Sequence, residues 1–257
     1  PNNSSKTSVQ EFRSALEKGK DEDKLDAMRR ILITMLNGNL MPELLMYVIR
    51  YVMPSKDKEL KKLLYFYWEI CPKLEPDGKL KQEMILVCNA IQHDLQHPNE
   101  YIRGNTLRFL SKLKEPELLE PLVASARLCL EHRHAYVRKN AVFAIYSIFK
   151  VSEHLIFDAA DLLVDFLAVE TDSTCKRNAF VCLGSLQRES ALRYIQDNLQ
   201  SLATLDPLLQ LSFVEFIRKD AVEHSDLRNQ YLSIISDLLD TTSNTVIYEA
   251  ATTLTIL

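Results

Sequence analysis

Glycine is scarce in this chain, and its spacing excludes several common ligand-binding motifs. The 257 residues include five glycines, and they are far apart: Gly19, Gly38, Gly78, Gly104 and Gly184. A phosphate-binding P-loop, a dinucleotide-binding G-x-G-x-x-G turn and a G-x-S-x-G nucleophile elbow each need closely spaced glycines. All three motifs are excluded, and the scarcity of glycine favours helices joined by short loops.

The sequence also lacks long apolar runs and an excess of positive charge. No apolar stretch approaches the roughly 20 residues that a helix needs to cross a bilayer, and no signal peptide opens the chain. The net charge of −4 is a poor electrostatic match for a nucleic acid, so we expect no nucleic-acid partner. The five cysteines are odd in number and show no close pairing, which indicates reduced thiols in the cytosol.

One sequence pattern recurs along the chain. Each copy has a polar turn, an apolar residue, a basic or polar pair and a helix. We name the apolar residue the repeat anchor, and the seven anchors are Leu25, Leu60, Ile102, Val137, Cys175, Leu209 and Val246. They recur about every 34 to 42 residues, which is close to the period of helical-pair solenoids. The sequence therefore predicts an all-α fold, a HEAT/armadillo-like α-solenoid of six or seven stacked antiparallel helix pairs.

The repeats show no domain boundary. We expect a single continuous solenoid over residues 1–257, with residues 1–10 as a flexible polar tail. The last residues, 253–257, read as an apolar helix, whereas the end of a natural solenoid carries a polar face. We therefore interpret the chain as part of a longer array.

No catalytic or metal-binding set emerges from the sequence. His93 and His97 are four residues apart, but Asp94 stands where a zinc-protease helix needs glutamate, and this favours a polar helix end. His132 and His134 fall in a predicted turn, and the cysteines form no zinc-type pair. We expect no enzymatic activity, no cofactor and no metal.

Basic residues follow several of the anchors, and stacking of the repeats would align them along one edge. They are Lys61, Lys62, Arg103, Arg138, Lys139, Lys176 and Arg177. One interpretation is structural, with these side chains linking adjacent turns. The other is contact with an acidic partner or an anionic membrane.

One predicted helix, residues 79–96, carries an apolar residue outside its core stripe. The stripe comprises Leu80, Met84, Val87, Cys88, Ile91 and Leu95. At about 100° per residue, Ile85 falls outside that arc, among Lys81, Asn89 and Gln92. Such a residue either packs on a neighbouring helix or belongs to a partner-binding patch.

Several stretches resemble the coatomer beta-subunit family of adaptin-like vesicle-coat proteins. The resemblance runs over residues 16–257 and rests on long runs such as EMILVC at 83–88, DLQHPNE at 94–100, CLEHRH at 129–134 and CKRNAF at 175–180. It implies the N-terminal trunk of a non-enzymatic COPI coat scaffold, active in Golgi-to-ER and intra-Golgi transport. The implied partners are the delta subunit, the other coatomer subunits and a GTP-loaded Arf-family GTPase. The implied location is cytoplasmic, peripheral on Golgi membranes and COPI-coated vesicles.

The same resemblance suggests where the GTPase docks. In related clathrin-adaptor beta chains, an apolar pair on the helix before the Pro98–Asn99 turn meets the GTPase switch regions. Aligned on that turn, the pair falls on Ile85 and Cys88, although the adaptors carry a larger aliphatic at the second position. The site implied is Ile85 and Cys88, with Lys81, Asn89 and Gln92 beside them. A different HEAT-repeat scaffold, such as a transport receptor or a phosphatase scaffold, is the alternative function.

Overall fold

The structure is a computed structural model that describes the backbone of residues 2–257 and the side chains of residues 8–257. Within these ranges the chain forms fifteen α-helices and no β-strand, which confirms the all-α prediction. Extended backbone pairs at one isolated bridge, between Leu74 and Leu80. The tail expected over residues 1–10 is helical from Asn2 onward, and Pro1 lies outside the described residues.

The chain packs as two compact units, the first ending at Ser125 and the second running from Ala126 to Leu257. The single continuous domain over residues 1–257 stays a prediction. The helices of the first unit are α1 Asn2–Lys18, α2 Asp21–Leu36, α3 Leu45–Tyr51, α4 Lys58–Ile70, α5 Met84–Leu95, α6 Glu100–Leu110 and α7 Pro116–Leu119. Helix α8, Val123–Cys129, spans the boundary. The helices of the second unit are α9 Ala135–Val151, α10 Ala159–Val169, α11 Ser173–Leu186, α12 Arg188–Asp197, α13 Pro207–Glu223, α14 Arg228–Asp237 and α15 Asn244–Ile256.

The repeat anchors lie near the starts of seven helices, α2, α4, α6, α9, α11, α13 and α15, each of which is the second member of a helix pair. In six of them the anchor is the third helical residue. Where the residue before the helix is Asp57, Asn99, Asp172 or Ser243, its side-chain oxygen accepts the backbone N–H of the anchor. Such caps satisfy N–H groups that the first turn of a helix leaves unpaired. In these four repeats the polar turn of the sequence pattern is therefore the capping device of the second helix.

Five of the seven anchors are fully buried: Leu60, Val137, Cys175, Leu209 and Val246. Leu25 and Ile102 are half-buried. Burying a side chain of this size contributes about 1.5 to 3 kcal/mol. The predicted register is confirmed, because a shift by one residue would have turned the anchors toward solvent.

The core of the second unit contains an aromatic cluster around Phe180. Its ring meets those of Phe213 and Phe216 in edge-to-face contacts, with centroid separations of 4.7 and 5.8 Å. Tyr194 lies at the side of the cluster, 6.1 Å from Phe213. Edge-to-face pairs stabilise packing by about 0.5 to 1.5 kcal/mol beyond simple burial. The cluster joins α11, α12 and α13 into one rigid block.

Candidate partner-binding surface

A tight excursion of the chain over residues 71–83 precedes α5 and sets where that helix begins. The backbone N–H of Lys81 donates to the carbonyl of Lys73 at 2.9 Å, and that of Glu75 donates to Lys79 at 2.7 Å. Gly78 closes the turn with φ +85, a conformation that favours glycine. Buried Lys73 ties the excursion to the end of α4, since its ammonium group donates to the carbonyls of Glu69 and Cys71.

This excursion corrects the predicted helix over residues 79–96. Helix α5 starts at Met84, so Leu80 belongs to the bridge with Leu74 and not to the helical stripe. Lys81 is half-buried and lies before the helix, where its N–H group pairs with distant Lys73. The prediction failed because this hydrogen bond across the turn outweighs the local helical pattern. Lys81 therefore stands at the entrance of α5 and not on its face.

The remainder of the predicted stripe is confirmed, and it includes Cys88. Met84, Val87, Ile91 and Leu95 are buried along one side of α5. Cys88 is only 7% exposed, and its thiol donates to the carbonyl of Leu118 at 3.7 Å. Burial raises the pKa of this thiol. The assignment of Cys88 to the partner-binding surface is corrected, because its side chain packs inside the unit.

The opposite side of α5 presents apolar side chains to solvent. Ile85 is 59% exposed. The structure therefore does not support the interpretation that Ile85 packs on a neighbouring helix. Leu86 is 47% exposed beside it. Asn89 is exposed and Gln92 half-buried, one and two turns further along the same face. We name Ile85, Leu86, Asn89 and Gln92 the α5 surface.

Leu86 was not among the residues predicted for this surface, although its angle on the helix indicated exposure. At about 100° per residue, Leu86 lies roughly 200° from Met84 and so opposite the buried stripe. Two neighbouring aliphatic side chains on the solvent side of one helix make an apolar patch, whereas single exposed hydrophobic residues are ordinary.

The far end of α5 is fixed by a buried carboxylate. Asp94 accepts hydrogen bonds from the Lys61 ammonium at 2.8 Å and from the Tyr65 hydroxyl at 2.5 Å. Burial, together with the negative charge of Asp94, raises the pKa of Tyr65 well above its ordinary value, so Tyr65 stays a hydrogen-bond donor. The contacts at Cys88 and Asp94 tie α5 to the rest of its unit.

The basic residues after the anchors divide between two roles. Lys61 pairs with Asp94, Arg138 grips Glu170 with bonds of 2.7 and 3.0 Å, and Arg103 donates to the backbone of its own turn. These contacts support the structural interpretation for Lys61, Arg103 and Arg138. Lys62 and Arg177, each the second residue after its anchor, are exposed. For these exposed residues, contact with a partner stays an open alternative.

His97 and His132 lie in turns, whereas His93 lies in the last turn of α5. The Nδ1 atoms of His97 and His132 each accept the backbone N–H of the residue two positions on, at 3.0 Å. Ser55 and Glu170 make the same contact in other repeats. The side chain of His93 is exposed. Among residues 8–257, no three His, Cys, Asp or Glu side chains lie close enough together to hold a metal ion.

The fold defines a class of protein, a HEAT/armadillo-like α-solenoid. The chain belongs to the family described as the adaptin N terminal region, whose profile matches residues 4–257. A structure titled as a homology model of the full-length AP-3 complex has the same fold, with a TM-score of 0.71, 19% identity, and coverage of 92% of this chain and 41% of that one. No helix in the described part of the chain is long and apolar enough to span a membrane.

Three curated relatives of this chain are coatomer beta subunits. The chain is 62% identical to coatomer subunit beta of Candida glabrata over 256 residues, which is 99% of this chain and 26% of the relative. It is 63% identical to that of Saccharomyces cerevisiae, covering 96% of this chain and 26% of the relative. It is 51% identical to that of Pongo abelii, covering 95% of this chain and 26% of the relative. The chain thus spans about a quarter of the length of these relatives.

Proposed function

We propose that the chain is a non-enzymatic scaffold segment of a coatomer-type vesicle coat. Support comes from its identity of 62% and 63% to two yeast coatomer beta subunits over nearly its whole length. A solenoid suits this role, since each repeat contacts its neighbours and leaves an extended surface for partners. The proposed partners are the delta subunit and the other coatomer subunits. The proposed location is cytoplasmic, peripheral on Golgi membranes.

The α5 surface is proposed to dock an Arf-family GTPase in its GTP form. The observation that carries this proposal is the exposure of Ile85 on a helix whose apolar stripe is buried in the core. The resemblance to adaptor beta chains supports a GTPase contact at the same position. Leu86 takes the part of the second apolar contact in place of buried Cys88. Because the γ-phosphate of GTP orders the switch regions, binding to them depends on GTP.

The polar neighbours of the patch form its rim. Asn89 and Gln92 follow Ile85 along α5, and Lys81 stands at the entrance of the helix. In protein interfaces a central apolar anchor carries most of the binding free energy, and rim contacts add little. Substitution of Lys81 or Gln92 by alanine is therefore expected to weaken binding much less than substitution of Ile85.

The test compares three isoleucine-to-serine variants by binding to GTP- and GDP-loaded Arf-family GTPase. Ile85→Ser is expected to weaken GTP-dependent binding about 5- to 150-fold, which corresponds to about 1 to 3 kcal/mol for a central apolar contact. Ile33→Ser is the matched control, because Ile33 on α2 is 60% exposed against 59% for Ile85. It should bind like the wild type.

The third variant separates docking from folding. Ile91→Ser removes a buried residue of α5 and should lower the melting temperature, whereas Ile85→Ser should not. Equal binding by Ile85→Ser and the wild type would contradict docking at the α5 surface. So would a loss of stability in Ile85→Ser as large as that in Ile91→Ser.

A further inference from the structure

The second unit carries a concentration of positive charge on two neighbouring helices. Helices α9 and α11 pack against each other, and together they contain five basic residues and no Asp or Glu, in a chain whose net charge is −4. Only one of the five, Arg138, takes part in the buried pair with Glu170. Lys139 and Lys150 lie over the rings of Tyr136 and Tyr146, at 5.1 and 5.6 Å. Lys150 is exposed and Lys139 is half-buried.

The basic residues surround apolar side chains that solvent reaches. Phe143 on α9 and Val181 on α11 are both partly exposed, and each lies six residues after its repeat anchor. Lys139 and Arg177 lie four residues before them, one turn away on the same face of each helix. Each helix therefore presents a basic residue followed by an apolar one.

Beside this face lies a groove of about 280 Å³ between α11 and α13. Its lining includes Phe180, Val181, Gly184 and Phe216. The absence of a side chain at Gly184 keeps the groove open over the ring of Phe216, since a Cβ atom there would stand 3.3 Å from its Cδ2. The α13 side of the groove carries both signs of charge, with Lys219 paired to Glu215 at 3.1 Å and Glu223 one turn further on.

We propose that this face binds an acidic segment of a partner protein that carries one large apolar side chain. The apolar side chain enters the groove above Gly184, and the carboxylates of the segment meet Arg177 and Lys139. Complementary charge gives such a contact its specificity and speeds encounter. Glu223 on the α13 side repels acidic residues, which favours the placement of the carboxylates of the segment on the side of α9 and α11.

The shape and the charge pattern favour a protein segment over a membrane surface. An anionic bilayer is flat and uniformly negative, so it would meet the carboxylates of α13 together with the cations of α9 and α11. The apolar side chains at the floor of a groove also cannot reach into the acyl region. A narrow peptide with charge at one end and an apolar side chain at the other avoids both difficulties.

The test uses the whole chain and a labelled peptide, Asp-Glu-Asp-Glu-Ser-Trp-Ser, followed by fluorescence anisotropy. The wild type is expected to bind, with an affinity that falls as salt screens the charges over about 8 Å. The double variant Lys139→Glu/Arg177→Glu should lose about tenfold or more in affinity, as reversal of rim charges predicts. The matched control, Lys56→Glu/Lys58→Glu, makes the same change in charge at exposed positions of the first unit and should bind like the wild type.

Gly184→Ala tests the groove separately. Alanine is the better helix former, which offsets the tight contact with Phe216, so the fold should survive. This variant should bind the tryptophan peptide less well. Binding of the peptide by the double variant as tightly as by the wild type would overturn the proposal. So would equal binding of a peptide with lysines in place of its acids, or binding to phosphatidylserine vesicles without binding to the peptide.

Discussion

The pair formed by Arg138 and Glu170 is the clearest place to test how consecutive repeats are joined. Arg138 lies in the first turns of α9 and Glu170 directly after α10, and their side chains are 18% and 3% exposed. Glu170 accepts two bonds from the guanidinium and one each from the backbone N–H groups of Thr171 and Asp172, both at 2.9 Å. The perturbation is Glu170→Gln, which keeps the size of the side chain but turns an amide NH₂ group toward a cation.

The magnitude follows from what Arg138 retains. Removing one partner of a buried ion pair costs about 3 to 5 kcal/mol. Arg138 keeps its bonds to the carbonyls of His132 and Arg133, at 2.9 and 2.8 Å, and it is partly exposed. These retained hydrogen bonds and the partial exposure compensate Arg138 in part for the loss of its partner. We therefore expect the free energy of unfolding to fall by about 2 to 3 kcal/mol, which is below that range. For a chain of this size the melting temperature should fall by roughly 5 to 10 °C.

The assay is thermal unfolding followed by circular dichroism, with two comparison variants. Glu59→Gln breaks the exposed pair of Arg29 and Glu59 and should change stability by no more than about 0.5 kcal/mol. The double variant Arg138→Met/Glu170→Gln removes both members and should be less destabilised than the sum of the single changes. If Glu170→Gln lowers the melting temperature no more than Glu59→Gln does, the pair does not join the repeats.

Three further predictions concern burial and ionisation. Val137→Asp should destabilise the fold by several kcal/mol and Lys139→Ala by about 0.5 kcal/mol or less, because Val137 is fully buried; equal melting temperatures would contradict the repeat register. Burial alone would raise the pKa of Glu170, but hydrogen bonds from the Arg138 guanidinium and from two backbone N–H groups outweigh burial and lower that pKa. The hydrogen bond from Arg127 lowers the pKa of Asp158. The stability that these carboxylates contribute is complete above their unfolded pKa of about 4, and it is lost as the pH falls through their lowered pKa values in the folded chain. The urea midpoint of unfolding should therefore drop between neutral pH and pH of about 3. A midpoint that does not change with pH would contradict this prediction. Burial raises the pKa of Cys71 to about 11, so this thiol should react with iodoacetamide slowly in the folded chain and quickly in urea, and equal rates would show that it is accessible.

The repeat register could be predicted from the sequence because its cause is local. An N-cap three residues before an apolar position is a short-range signal, and it gives the starts of α4, α6, α11 and α15. The exposure of Ile85 could be predicted for the same reason, since the angle of a residue on a helix depends only on its neighbours in sequence.

The start of α5 could not be predicted in that way. It depends on the hydrogen bond between Lys81 and Lys73 and on the turn at Gly78, which join residues that helical periodicity does not relate. Cys88 stood at the edge of the predicted stripe, and its burial depends on Leu118, which is far along the chain. The acidic partners of Lys61 and Arg138 are likewise about a repeat away, so the sequence indicated the cations but not what they meet.

Photochemical cross-linking at position 85 tests most directly whether α5 docks the GTPase. Benzoylphenylalanine in place of Ile85 puts a reactive ketone on the exposed patch, and the same replacement of Ile33 is the control with matched exposure. We expect a cross-link from position 85 to the switch regions of an Arf-family GTPase loaded with GTP, and little or none with GDP or from position 33. Equal cross-linking from the two positions, or from position 85 with either nucleotide, would contradict it.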